Sequence, residues 1–224
     1  MMDWYPLWNS LRIAGISCVL VFFSGICLAY YVAPSAPCLK GNPRCLLTLP
    51  LVLPPTVCGW LLLLVFGLKH PVGMFLNDMG IRFVMTWYGG VLASAVVAFP
   101  LMYRTARGAF ESFDETLAWS GRTLGLSDTY IFWHIRMPCC RQGIIAGTVL
   151  AFARALGEYG ATTMLIGYIP HNTATISTTV YQLWRTNDEY HAFIWVLINI
   201  AISAVVLLTI NIYEKRSRER RSPV

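Results

Sequence analysis

The sequence predicts an all-α membrane protein with about five transmembrane helices, and three observations carry that reading. Apolar residues make up 56% of the 224 residues and charged residues only 12%. Mean hydropathy is +0.56. The apolar residues also collect into long runs instead of alternating with polar ones, and about 20 in a row are what a helix needs to cross a hydrocarbon core. No polar face remains to clothe a water-soluble surface, which disfavours soluble enzymes and secreted disulfide scaffolds.

Five stretches reach that length, at about residues 7–32, 46–68, 83–103, 143–168 and 192–213. The first could be mistaken for a signal peptide, with Ala33 to Ala36 as a loose small-residue cleavage site. Its leader holds no basic residue and its apolar run is longer than a usual signal core, so an uncleaved first span is expected. The whole chain, 1–224, reads as a single transmembrane domain. Its longest non-membrane segment, residues 104–142, is too short to hold a core of its own.

Orientation follows from the distribution of lysine and arginine. Lys40 and Arg44 follow the first span, Arg104, Arg107, Arg122, Arg136 and Arg141 lie between spans three and four, and Lys215, Arg216, Arg218, Arg220 and Arg221 form the tail. Those twelve share one side, whereas Lys69, Arg82 and Arg185 occupy the other and Arg12 and Arg154 lie within spans. Twelve against three places the N-terminus outside and the C-terminus and the 104–142 loop in the cytoplasm. The net charge of +6 is then an orientation signal and an attraction to anionic membrane lipid, and no nucleic-acid partner is needed to explain it.

The seven cysteines are odd in number, and Cys18, Cys27 and Cys58 sit inside apolar runs as small hydrophobes. Neither Cys38 with Cys45 nor Cys139 with Cys140 has Cys-x-x-Cys spacing or a nearby histidine, so no metal site is expected.

Three features of the spans go beyond hydropathy. Gly147, Ala151 and Ala155 recur every four residues in span four, continued by Gly157, Gly160 and Ala161, and Gly90, Ser94 and Ala98 repeat the device in span three. Small residues let membrane helices approach closely, either inside one bundle or between subunits. Arg154 and Glu158 lie near the middle of span four, where each would cost about 2.5–3.5 kcal/mol facing lipid. At spacing i, i+4 they share a face and can pair, as an internal lock or along a polar pathway. Pro50, Pro54 and Pro55 in span two and Pro100 near the end of span three remove ladder hydrogen bonds. Bends of that kind suit a cavity or are static kinks. After span four, residues 167–190 are rich in Thr and Ser. This segment is able to bind an oxyanion through hydroxyls and amides, or serves as an amphipathic connection.

No phosphate-cradling G-x-x-x-x-G-K-[ST] loop, H-E-x-x-H or G-x-S-x-G is present, and the four histidines are scattered. No catalytic residue is identified, this chain is expected to bind no cofactor, and ATP-driven work would need a partner subunit.

Several stretches together resemble the permease subunits of bacterial ABC importers, and specifically the molybdate permease family. They are LPLVLPP from Leu49, FPLMYRTARGAFESFD from Phe99, RTLG from Arg122, GTVLAFARALGEYGAT from Gly147, and Ile169-Pro170. Importers of this class carry a cytoplasmic loop reading E-A-A, three residues, G, nine residues, then I-x-L-P. Here Gly125 is followed at that distance by Ile135-Arg136-Met137-Pro138, while Trp119, Ser120 and Gly121 stand at the E-A-A positions and Glu115 is the carboxylate one turn earlier. The resemblance implies a short coupling helix within Glu115 to Pro138 that docks on an ATPase, with Gly125 allowing a sharp exit. It implies a homodimer around a central pore, two ATP-binding subunits, an external oxyanion-binding protein, and residence in the bacterial cytoplasmic (inner) membrane. Molybdate is the implied substrate, with tungstate or sulfate as alternatives. From the residues alone, a membrane-embedded enzyme using Arg154 and Glu158, a passive channel and a structural subunit also stay open.

Overall fold

A computed structural model describes residues 3–32 and 43–219, and every regular element among them is helical. Of the residues discussed above, Ala33 to Ala36, Cys38, Lys40, Arg220 and Arg221 lie outside the described residues. In chain order the helices are α1 (Tyr5–Val32), α2 (Pro43–Val52), α3 (Pro55–Phe66), α4 (Pro71–Asp78), α5 (Trp87–Glu111), α6 (Glu115–Thr123) and α7 (Asp128–Ile131). A π-helical turn (Phe132–Arg136) leads into α8 (Met137–Leu156), followed by α9 (Gly160–Ile166), α10 (Ile176–Arg185) and α11 (Glu189–Glu219).

Among the described residues, four continuous helical stretches are long and apolar enough to cross a membrane: Tyr5–Tyr31, Trp87–Glu111, Asp128–Leu156 and Glu189–Thr209. A fifth crossing is available to α3 and α4 as a pair bent by 61°. Two of the expected spans are therefore broken. Span two, expected over 46–68, divides at Leu53 and Pro54, because the residue before a proline is pushed out of helical geometry. Pro54 precedes Pro55 and is extended at φ −54°, ψ 137°. Span four, expected over 143–168, starts earlier, at Asp128, and stops at Leu156. Tyr159, at φ −121° and ψ −49°, then leads into the short α9. Pro100, by contrast, is accommodated inside a continuous α5.

The core is a triad of α1, α5 and α8. Ala14, Val21, Ala29, Ala98, Met102, Tyr103, Ala106, Ile144 and Ala151 are buried together there. The small-residue ridge of span four faces this triad. A Cβ added at Gly147 would lie 2.6 Å from Thr105 Oγ1 and 3.1 Å from Met102 Sδ, both on α5. Gly90 on α5 likewise meets Ile13 of α1 and Ile166 of α9 at 3.0 and 2.9 Å. Both ridges are thus packing seams within this chain. Ser17 of α1 reinforces the seam by donating to the Val91 carbonyl at 2.9 Å.

A second cluster joins α3 to α9 through Cys58, Ala161, Leu165 and Ile166, with Ala93 and Val97 of α5. The two backbones nearly touch: a Cβ at Gly59 would stand 2.7 Å from the α-carbon of Ala161. α11 packs on α10 and α8 with few side chains buried. Trp195, 3% exposed, meets Trp4 edge-on with ring centroids 6.2 Å apart.

The Thr-rich segment is stitched to the start of α1. Tyr5 donates to the Asn172 carbonyl at 2.8 Å, Asn9 to the Ala174 carbonyl at 2.9 Å, and Ser10 accepts the Ile176 N–H at 2.9 Å. Three of its buried hydroxyls are engaged locally, whereas that of the buried Thr179 has no hydrogen-bond partner among the described residues. Thr173 accepts the Ile169 N–H at 2.9 Å, and Thr175 and Thr178 form a reciprocal capping box on α10. The contacts of Thr173, Thr175 and Thr178 fit the amphipathic connection, because those three hydroxyls are spent within the segment.

Gly59→Val is expected to lower stability by about 1–3 kcal/mol through overpacking against α9. Thermal unfolding of the detergent-solubilised chain would show it as a lower midpoint. A Gly15→Val control has nothing within 4 Å of its Cβ position and should leave the midpoint near the unaltered value.

Candidate functional site

The segment between α5 and α8 builds a helix–turn–helix at one end of the bundle. Asp114 starts α6 by accepting the Thr116 N–H at 3.0 Å and the Thr116 hydroxyl at 2.7 Å. These two donors hold its carboxyl below the usual carboxylate range. The helix ends in a Schellman turn: Leu126 N–H donates to the Gly121 carbonyl at 3.1 Å and Gly125 N–H to the Arg122 carbonyl at 3.0 Å. Gly125 has φ +77°, the left-handed conformation in which a Cβ is penalised. Ser127 then caps α7 by accepting the Tyr130 N–H at 3.3 Å, and Arg122 closes the turn on Asp128 at 2.8 Å. That carboxylate pushes the Arg122 guanidinium above its ordinary value.

The residues singled out from the sequence divide by role. Gly121 is buried, and a Cβ there would meet Ile131 at 3.2 Å and Ile135 at 3.4 Å, so α6 lies directly on the α7 and π-helical segment. Trp119 points away from the bundle at 60% exposed, and Ser120 turns its hydroxyl back to the Thr116 carbonyl at 2.8 Å. Pro138 sits exposed in the first turn of α8. With Leu117, Leu124, Tyr130 and Trp133, Trp119 adds to the exposed apolar side chains of this end.

Glu115 does more than start a helix. Both of its oxygens accept from Arg136 Nη2, at 2.7 and 2.8 Å. The same guanidinium lies 4.8 Å from the Phe113 ring and 5.5 Å from the Tyr30 ring. Arg136 therefore ties α6 and the end of α1 to the entry of α8, combining an ion pair with cation–π contacts. The sequence marked Arg136 only as one of the residues of the I-x-x-P group and as one of the cations of the loop. A basic residue within the Gly125 to Pro138 spacing, opposite a carboxylate at the helix start, was the available signal.

The second constellation lies in span four. Arg154 Nη1 and Glu158 Oε2 are 2.5 Å apart, with side-chain exposures of 31% and 1%. The expected pair forms, but not on one continuous helix. Glu158 follows the C-cap residue Gly157 of α8, and its Oε1 accepts the Ala161 N–H of α9 at 2.8 Å. The pair bridges a break, with a cation in the last turn of one helix and a carboxylate serving an amide at the start of the next.

Cys18, Cys27, Cys58, Cys139 and Cys140, the cysteines whose side chains are described, are all free thiols. Cys139 is exposed and Cys140 is buried, donating to the Ala109 carbonyl at 3.2 Å.

A helical bundle with a capped helix–turn–helix at the end of one long span suits a transporter's membrane subunit. Residues 15–219 match the family of binding-protein-dependent transport system inner membrane components, and the chain belongs to that family. It is 40% identical, over 97% of its length and 96% of the relative's, to the molybdenum transport system permease protein ModB of Escherichia coli (strain K12). It is 34% identical to the putative molybdenum transport system permease protein YvgM of Bacillus subtilis (strain 168), covering 92% of this chain and 91% of that one. Among solved structures, a chain of a bacterial ABC transporter importing the acidic polysaccharide alginate aligns over 95% of this chain and 78% of its own length. Its TM-score is 0.74 and its identity 21%. A chain of the inward-facing MetNI methionine ABC transporter aligns over 92% of this chain and 93% of its own length, at TM-score 0.66 and 12% identity. These two likenesses concern the fold.

Arg136→Ala should release α6 from the bundle, losing about 2 kcal/mol locally for a charge-assisted pair. Hydrogen exchange should rise in residues 113–127 and stay unchanged in α3 and α9. The capping by Asp114 has a defined pH sense. Because its folded pKa is lowered, the stabilisation is complete above the ordinary carboxylate pKa and is lost as pH falls through the folded value. Asp114→Asn should remove that acid-side dependence of exchange in α6.

Proposed function

We propose that this chain is the membrane-spanning subunit of an ATP-driven importer for molybdate. Two copies enclose the pathway, a separate pair of ATP-binding subunits hydrolyses ATP on the cytoplasmic side, and an external binding protein delivers the anion. The observation that carries the substrate is the 40% identity to a molybdenum permease over nearly the full length of both chains. The relative from Mycobacterium tuberculosis, 34% identical over 89% of this chain, is also named as a molybdenum permease. Tungstate is a close chemical alternative, because the two oxyanions are nearly the same in size and charge.

Coupling is assigned to the helix–turn–helix. Its exposed Leu117, Trp119 and Leu124 offer apolar anchors for a groove on the ATPase, of the kind that dominate interface energetics. Gly121 and Arg136 hold that surface rigidly on the bundle. The orientation read from the basic residues supports the same arrangement. The helix–turn–helix shares its end of the bundle with the end of α1, where Tyr30 meets Phe110 and Phe132 with ring centroids 6.1 and 4.6 Å apart. The opposite end holds Trp4 against Trp195 and Tyr5 against Asn172. ATP closes the ATPase pair and draws the two coupling helices together, turning the pathway outward; hydrolysis lets it turn inward.

Membrane vesicles holding this chain with its ATPase and binding protein should take up labelled molybdate only with ATP, with tungstate competing and sulfate not. Uptake of sulfate in place of molybdate would keep the importer and overturn the substrate. Gly125→Val should strain the turn after α6 and weaken ATPase association or uncouple hydrolysis from uptake. A normal complex with normal uptake would remove the coupling assignment.

A further inference from the structure

The ion pair in span four has more donors than its partner consumes. Arginine carries five N–H groups in a fixed fork. At Arg154, Nη1 meets Glu158, whose other oxygen is already taken by the Ala161 N–H. Burial is lopsided: the carboxylate side chain is 1% exposed and the guanidinium side chain 31%. The carboxylate is closed away inside the fold, its Oε2 held only by the ion pair, while part of the cation remains open on the surface of the chain.

The surroundings are two helix breaks set side by side. The pair lies at the break between α8 and α9, and the break between α2 and α3 lies beside it. A Cβ added at Gly160 would be 3.0 Å from Pro55 and 3.1 Å from the Thr56 nitrogen. Irregular backbone is tolerated within a membrane only where protein covers it or a water-filled cavity receives it. Gly59 and Ala161 seal one side of this junction, and Thr56 on the first turn of α3 stays exposed.

We propose that Arg154 is a contact for the translocated tetrahedral oxyanion, and that Glu158 is the positioning residue that aims the guanidinium and offsets its charge. This inference rests on the importer reading above and names a residue that would carry it. The chemistry suits passage. A bare guanidinium in a low-dielectric wall would hold a dianion too tightly to release it, whereas conduction needs binding that is favourable on entry and weak enough for exit. A charge-compensated guanidinium keeps its directional donors for the anion's oxygens while the net charge of the site stays near zero.

The test uses the complete importer in vesicles, reading molybdate uptake, ATP hydrolysis stimulated by the loaded binding protein, and thermal stability. The double variant R154Q/E158Q removes both charges together and leaves none buried alone. It is expected to assemble with stability near that of the unaltered complex, keep stimulated hydrolysis, and lose uptake at least tenfold. Uptake within twofold of the unaltered complex would overturn the proposal and leave the pair as an internal lock. Arg154→Lys keeps the charge and the pairing but removes the planar fork, so it decides the matter if the double variant does not assemble. Uptake reduced at least fivefold with hydrolysis retained supports the contact; unchanged uptake overturns it. No uptake of any oxyanion by the unaltered complex would overturn the importer reading itself, and this proposal with it.

Discussion

In a hydrocarbon environment every backbone amide and carbonyl has to be satisfied inside the protein, and the way this chain meets that constraint at its broken spans organises the structure. Two interruptions, at Leu53 to Pro54 and at Gly157 to Tyr159, are seated against each other. The helices that follow them, α3 and α9, pack backbone against backbone where Gly59 meets Ala161. Glu158 bridges the second interruption by serving the Ala161 amide with one oxygen and Arg154 with the other. Neither break would be stable alone in lipid; each supplies part of the covering for the other.

The α1, α5 and α8 triad is the rigid frame on which this junction rests. Its seams are made of Gly, Ala and Ser because membrane helices associate by close packing, with no hydrophobic gain from leaving lipid. The same frame projects beyond its own seam at one end, where α8 begins with a π-helical turn and α5 continues to Glu111. There the packing changes character. Arg136 gathers a carboxylate and two aromatic rings, so polar and cation–π contacts take over where the surroundings turn aqueous. A single continuous helical stretch from Asp128 to Leu156 joins that end to the junction of broken spans.

Much of this was legible before any coordinates. The helical, membrane-spanning character of the chain is written in its long apolar runs, and Trp87–Glu111 is one continuous helix even with Pro100 inside it. The resemblance to the importer loop implied a short helix with an exit at Gly125, and Gly125 does take the left-handed conformation. What was not legible is where runs of equal hydropathy stop being helical. Hydropathy averages over a window, and Gly157 to Tyr159 sit in as apolar a context as the residues around them. Only the backbone conformation at Tyr159 and the capture of Glu158 by α9 separate the two helices. The hydroxyls of Thr173, Thr175 and Thr178 looked available for a ligand in one dimension, yet each is turned onto a nearby backbone or side-chain group in three.

The sequence by itself determined that this is a helical membrane protein, the side its charges favour and the family to which it belongs, because hydropathy, charge asymmetry and motif spacing are properties of the chain as written. Tertiary structure alone decided which small-residue ridges face inward, that two spans break and meet, that Arg136 holds α6 to the bundle, and that Arg154 stays partly open while Glu158 is closed away. Those outcomes depend on which surfaces exclude lipid and water from one another, and that is settled only when distant segments pack.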